Sequence, residues 1–240
     1  MKKIIFIGFD IEGVGGISTY SRYQVKALRE KFGKNSVDVY SLVSLDKKFQ
    51  GYVDKDIEHK SKFALLKIIL LLIKNHRKID VIIFNHVNLS FLGAIVKKLF
   101  GIKYIVFGYN IDLLRKFNFI QKIGFENSDK LVVDCSFTIN KLKEFHKKIP
   151  KTHLLYDPVD INFFKPIPLL QAREILKNKY KLMFDEKFII TTVAVMRKEE
   201  MYKGHFEILE AIKLLHNKSI IYFIVGGGDG RELVEKKQKN

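Results

Sequence analysis

The sequence predicts an α/β protein in which a parallel sheet is covered by helices on both faces. Short runs rich in Ile, Val, Leu, Phe and Tyr alternate with longer stretches of helical periodicity from one end to the other. The runs are almost continuously apolar, as strands buried on both faces are, rather than alternating apolar with polar. With 47% hydrophobic and 29% charged residues in 240, the chain has enough apolar side chains for one large domain or two smaller ones.

In chain order, strands are predicted at residues 3–8, 37–43, 80–85, 103–108, 130–135 and 152–156, each with the β-branched and aromatic content of a pleated, buried surface. Helices are predicted at 18–32, 63–75, 89–100, 113–126 and 138–147, each able to serve as a right-handed crossover between parallel strands. Six strands complete a first domain, residues 1–165. Asp157-Pro158-Val159-Asp160, with Pro166 and Pro168 behind it, breaks regular structure and reads as a turn and linker. Residues 166–240 then open a second unit: a helix at 169–180, a strand at 188–195, a helix at 204–216, a strand at 219–225 and a helix beginning near Arg231. Two strands bury their faces poorly, so the chain is expected to stop inside this second domain.

Composition narrows the chemistry. The one cysteine, Cys135, closes the run Leu131-Val132-Val133-Asp134 and is expected at the end of a buried strand, which excludes an internal disulfide framework and points to a reducing compartment. Met1-Lys2-Lys3 is followed by only a short apolar run before Asp10, so the opening is expected to be a strand rather than a secretory signal. The apolar run 64–73 is interrupted by Lys67 and is shorter than the ~20 residues a spanning helix needs. The net charge of +17 suits phosphate-bearing surfaces, yet only seven of the 43 basic residues are arginine, so a general lysine bias explains it equally well. The histidines at 59, 76, 86, 146, 153, 205 and 216 have no metal-ligand spacing, and no Gly-x-Ser-x-Gly elbow is present, which argues against zinc and serine hydrolases.

Three loops carry candidate chemistry. Glu12-Gly13-Val14-Gly15-Gly16-Ile17-Ser18 follows the first strand and feeds a helix whose N-cap is expected at Ser18. Backbone N–H groups at the positive end of that helix suit a phosphate, and tight strand-to-helix packing would use the same glycines. The stretch from Arg197 to Lys203 and Gly204 lies beyond the carboxyl end of a strand, where open α/β sheets bind ligands. Arginine's planar fork and lysine's mobile charge can together neutralise a diphosphate leaving group; a solvated loop is the alternative. In Gly226-Gly227-Gly228-Asp229-Gly230 the third glycine falls one residue short of the dinucleotide fingerprint, which disfavours a nicotinamide enzyme and leaves a ligand contact or a plain turn.

In this order and at these separations the loops resemble family 4, or group 1, of the glycosyltransferases, which have the GT-B fold of two Rossmann-like domains. The resemblance covers nearly the whole chain. Gly15-Gly16-Ile17 with Tyr20 resembles the N-terminal glycine loop, Asp157-Pro158-Val159-Asp160 the Asn-Pro-Val-Asp linker signature, Tyr202-Lys203-Gly204-His205 the Lys-Gly donor loop, and Gly226 with Gly228 the next glycine turn. The resemblance implies one complete Rossmann-like domain plus the start of a second. It also implies retaining transfer of a sugar from a nucleotide-diphosphate donor, without a metal or other cofactor, to a saccharide or lipid-linked saccharide held by the first domain. By the same resemblance Arg197, Lys203 and Gly204 bind the donor diphosphate, while Gly15, Gly16, Gly108, Asn110, Gly226 and Gly228 line the cleft. Three departures stand out. Phe107-Gly108-Tyr109-Asn110 replaces the usual His-Gly motif, the loop from Arg197 to Lys203 is about one residue longer than usual, and the paired-glutamate motif would lie beyond Asn240.

The expectation is therefore a glycosyltransferase of bacterial surface polysaccharide, lipopolysaccharide or glycolipid assembly, cytoplasmic and represented by an incomplete chain. The alternative is a non-catalytic binding or scaffold remnant of such an enzyme. Nucleic acid is not expected as a partner, because no basic cluster is interleaved with aromatics. Residues 61–78, apolar with Lys62, Lys67, Lys74, Arg77 and Lys78, are expected either to pack on the sheet or to lie weakly on an anionic membrane surface.

Overall fold

The computed structural model describes residues 3–42, 48–57, 63–181, 188–215 and 219–239; Val43, Ser61, Lys62 and His216, which the readings above include, lie outside them. The chain divides into two compact units, Met1–Asp160 and Ile161–Asn240.

The first unit is built on seven parallel strands: β1 (Lys3–Phe9), β2 (Val37–Leu42), β3 (Lys55–Ile57), β4 (Ile79–Phe84), β5 (Lys103–Gly108), β6 (Lys130–Val133) and β7 (Thr152–Leu154). Their order is β3-β2-β1-β4-β5-β6-β7, so the chain grows outward from β1 on one side and then from β4 on the other. The connecting helices are α1 (Gly16–Phe32), α2 (Ala64–Asn75), α3 (Ser90–Phe100), α4 (Asn110–Leu113), α5 (Phe119–Glu126) and α6 (Ser136–Phe145). Successive β1 side chains divide between the faces: Ile5 and Ile7 pack with Ile68 of α2, Val96 of α3, Phe125 of α5 and Leu142 of α6, whereas Phe6 packs with Tyr20 and Val25 of α1. Both layers are nearly dry, which is the burial that the continuously apolar strands required.

Several boundaries differ from expectation, each for a local reason. β3 is an additional strand of three residues that extends the sheet beyond β2. The predicted helix 113–126 is two: α4 ends at Leu113, and Asn118 starts α5 with a capping box in which its side chain accepts from the Gln121 N–H at 2.9 Å while Gln121 accepts from the Asn118 N–H at 3.1 Å. Ser18 is not the N-cap of α1; Gly15 is, at φ 154°, and Ser18 is buried within the first turn. Cys135 is not in a strand. β6 stops at Val133, opposite the last residue of β5, and half-buried Cys135 becomes the N-cap of α6. β7 likewise ends at Leu154, opposite Val133, rather than at Tyr156.

The second unit contains α7 (Leu169–Tyr180), β8 (Phe188–Val193), α8 (His205–Leu215), β9 (Ile220–Val225) and α9 (Arg231–Lys239), with β8 and β9 parallel and in register from Phe188↔Ile220 to Val193↔Val225. No residue of either strand is fully buried, and the core reduces to Met196, Leu209 and Val234 with Tyr222 and Ile224 against them.

Candidate functional site

In the first unit, the reversal of strand order between β1 and β4 opens a crevice at their carboxyl ends. Residues 10–15 enter it. Asp10 sits at φ 43°, a conformation few non-glycine residues adopt, and a Cβ on Gly13 would meet the Asp10 carboxylate. Arg22, buried on α1, clamps this loop: its Nη1 donates to the carbonyls of Ile11 and Gly13, each at 2.8 Å, and Nη2 donates to Thr19 Oγ1 at 2.9 Å. The guanidinium also lies over the Phe49 ring at 4.0 Å. Burial lowers the Arg22 pKa from its usual value, with Tyr52, Asp10 and Glu12 acting in the opposite direction. Glu12 fixes the other side by accepting from the N–H groups of Tyr52 and Val53 at 2.9 and 3.1 Å.

This bracing holds the start of α1 in place without occupying it. Gly15 provides no side-chain cap, the first turn has no acidic residue, and a Cβ on Gly16 would have nothing within 4 Å. An uncapped helix start beside open space is a place where an anion can accept backbone hydrogen bonds.

Gly108 and Asn110 lie at the end of β5, and their roles differ. A Cβ on Gly108 would meet the Leu113 side chain at 2.6 Å, so packing within the unit demands this glycine, whereas Asn110 opens α4 and is exposed. Beside them, His86 follows β4. Its Nδ1 accepts from the Asn88 N–H at 3.0 Å, which places the ring proton on Nε2, 3.1 Å from Asp112 Oδ2. A histidine thus stands at this end of the sheet although the His-Gly motif is missing.

A polar cluster occupies the same end of β5, β6 and β7. Tyr20 donates to the Leu155 carbonyl at 3.1 Å and meets Tyr109 edge-to-face with ring centroids 5.9 Å apart. Tyr109 Oη, Asp134 Oδ1 and Thr138 Oγ1 are buried without a hydrogen-bond partner among the described residues. Burial raises the pKa of Tyr20, Tyr109, Asp134 and Asp157, and the charge of Asp157 pushes Asp134 further up. Buried donors and acceptors without partners are costly unless something completes them, so the cluster is equipped to take hydroxyl groups.

In the second unit the loops after β8 and β9 are laced together. The Met196 N–H donates to the Gly227 carbonyl at 2.9 Å, the Gly230 N–H donates back to the Met196 carbonyl at 2.8 Å, and the Lys198 N–H donates to Asp229 Oδ1 at 3.2 Å. Gly226 and Gly228 have φ of 151° and 143°, and a Cβ on either would collide with the carbonyl of Ala194 or Met196. These two glycines pack on neighbouring backbone. Arg197 caps a 3-10 turn, Lys198–Lys203, at this carboxyl end of the sheet; Gly204 follows at φ 85° and turns the chain into α8. Arg197 and Lys203 are both exposed at opposite ends of that turn, and Lys203 Nζ lies 4.9 Å from the centre of the Tyr202 ring. His205, fully buried at the start of α8, has neither ring nitrogen hydrogen-bonded among the described residues. A cleft of about 490 Å³ lies between α8, α9 and β9, lined by Met196, Leu209, Ile224 and Val234 together with Lys213, Arg231, Glu235 and Gln238, and does not include the basic loop.

Sequence reasoning gives no role to Arg22, His86 or Asp134, and names Glu12 and Asp229 only as members of the glycine loops. Among the described residues no group of three or more His, Cys, Asp or Glu side chains is arranged to hold a metal ion, and no helix is long and apolar enough to cross a membrane.

No family model and no curated protein matches the sequence. Solved structures do. The chain superposes on HepE from Anabaena in complex with UDP with a TM-score of 0.73 at 13% identity, over 99% of this chain and 65% of that one. A glycosyltransferase from Rickettsia africae gives 0.72 at 17% identity over 100% and 65%, and sucrose-phosphate synthase from Thermosynechococcus elongatus 0.70 at 16% over 99% and 68%. The chain thus spans about two-thirds of the length of these proteins. The likeness shows the fold: an α/β chain of GT-B-like architecture, with a Rossmann-like first unit and a smaller second α/β unit.

Proposed function

We propose that this chain is the acceptor-side domain and part of the donor-side domain of a retaining, nucleotide-sugar-dependent glycosyltransferase of family 4, acting in bacterial surface polysaccharide, lipopolysaccharide or glycolipid assembly. One observation carries the reading: the whole chain superposes on glycosyltransferases, among them HepE solved with UDP and with UDP-glucose. Two local geometries support it. The exposed Arg197 and Lys203 bracket a turn pinned to the glycine loop after β9, as a rigid diphosphate clamp requires, because preorganised charge stabilises a leaving group without reorganisation at the moment of transfer. The Tyr20–Tyr109–Asp134 cluster offers donors and acceptors suited to saccharide hydroxyls.

In this reading the donor diphosphate is neutralised by Arg197 and Lys203, with Gly204 letting the backbone approach, and no metal is needed. Gly15 and Gly16 leave the N–H groups at the start of α1 open to an anionic group of a substrate. The acceptor is a saccharide or lipid-linked saccharide, the enzyme is cytoplasmic, and it attaches weakly to the inner face of the plasma membrane. Binding of the donor diphosphate by the basic loop is the part of this reading open to direct test. Calorimetry with UDP-glucose, GDP-mannose, UMP and inorganic diphosphate tests this. Nucleoside diphosphates and their sugars should bind more tightly than UMP; equal or absent binding of all four would remove the proposal.

A further inference from the structure

We propose that the polar cluster at the carboxyl ends of β5, β6 and β7 is a binding site for a protonated primary amine, carried by an amino-sugar acceptor. The inference deepens the proposed function and rests on its assignment of the acceptor to the first unit. Strand register builds the cluster. β6 and β7 end side by side, with Val133 opposite Leu154, and the Leu155 N–H donates to the Val133 carbonyl at 2.8 Å, so Asp134 and Asp157 leave the two strand ends as neighbours. On the other side of β6, Gly108 is opposite Val133, which brings Tyr109 beside Asp134. Tyr20 of α1 closes the group: its hydroxyl donates to the Leu155 carbonyl at 3.1 Å, and its ring stands edge-on to that of Tyr109.

The cluster deepens from its mouth inward. Asp157 is exposed, Asp134 is half-buried, and Thr138, in the first turn of α6, is 0% exposed. Tyr109 Oη, Asp134 Oδ1 and Thr138 Oγ1 are shut off from solvent without a hydrogen-bond partner among the described residues, so they lack a donor. Charge says which donor. Asp157 repels Asp134, desolvation pushes both toward protonation, and no lysine, arginine or histidine among the described residues offsets either of them. Asp112, the third carboxylate near Tyr109, is answered by His86 at 3.1 Å. A chain of net charge +17 thus keeps two adjoining carboxylates without a cation of its own. A sugar hydroxyl donates one hydrogen bond and leaves their repulsion in place, whereas an ammonium group donates three and cancels it. A metal ion fits less well, because among the described residues no three His, Cys, Asp or Glu side chains converge here.

Amide shifts of the isotope-labelled full chain, followed while glucosamine, glucose or N-acetylglucosamine is added just below neutral pH, test the site. Glucosamine, whose amine is protonated there, should move the amides of residues 134–138 and 155–157 saturably and bind about tenfold more tightly than the two neutral sugars. Asp134→Asn and Asp157→Asn keep the side-chain shape and remove the charge. Each should bring glucosamine down to the affinity of glucose, with a melting temperature at or above that of the parent. Absent binding of glucosamine, equal binding of glucosamine and glucose, an equal response to methylammonium or potassium chloride, or glucosamine affinity unchanged in both variants would overturn the proposal. A chain that binds glucosamine in this way but no nucleoside diphosphate would remove the proposed donor site and leave this one standing; the reverse would remove this site alone.

Discussion

The glycine turn after β1 and the glycine turn after β9 look alike in the sequence and do opposite things in the structure. After β9, Gly226 and Gly228 are pressed against the carbonyls of Ala194 and Met196, and their positive φ leaves no room for a side chain. After β1, the loop is held from its flanks by Arg22 and Glu12, and a Cβ on Gly16 would meet nothing. The first turn therefore keeps its backbone available to a ligand, whereas the second positions the basic loop beside it. A cluster of glycines after a strand says that backbone must come close to something; whether that is a ligand or the protein itself depends on what the next loop does.

Mutations can break this contrast. The largest effect is expected for Gly228→Ala, which forces both a strained backbone and a collision with the Met196 carbonyl. It should destabilise the second unit by about 3 kcal/mol, read as loss of its amide protection in hydrogen exchange while the first unit stays protected. Arg22→Met removes two hydrogen bonds to the first loop and one to Thr19 of α1, and should cost about 2–3 kcal/mol in urea unfolding. Lys203→Ala should weaken diphosphate binding about tenfold with little change in stability, since the side chain is exposed. An unchanged affinity would take Lys203 out of the site.

Two smaller effects sharpen the comparison. Asp134 and Asp157 have raised pKa values in the folded chain, so the native state favours their protonated forms; that stability is present below the ordinary carboxylate range and is lost as pH rises through the raised values. Asp134→Asn should therefore raise the melting temperature slightly at neutral pH and not in acid, and a drop at neutral pH would show that the carboxylate is needed in its charged form. Gly16→Ala should change stability by less than about 1 kcal/mol, because the position is helical and open, in contrast to Gly228→Ala.

Most of the fold could be read from the sequence, because parallel strands buried on two faces leave continuous apolar runs and the crossover helices between them are long. β3 escaped detection because three residues, Lys55-Asp56-Ile57, bear no run at all; the sheet edge makes them a strand. The break before Phe119 was written in Asn118 and Gln121 but was overridden by the apolar residues on either side. The basic loop and the glycine turns were legible as motifs. Their supports were not: Arg22 reads as an ordinary surface cation of a helix, and Asp229 finds the Lys198 N–H only because β8 and β9 pair. His86 bears no motif of its own, because its partner Asp112 is supplied by α4.

Amide chemical shifts of the isotope-labelled chain, followed while UDP is added, test the central claim most directly. The account predicts that the amides of residues 197–204 and 226–230 move together in a saturable way. Saturable shifts confined to the first unit, or no shift in residues 197–204, would contradict it.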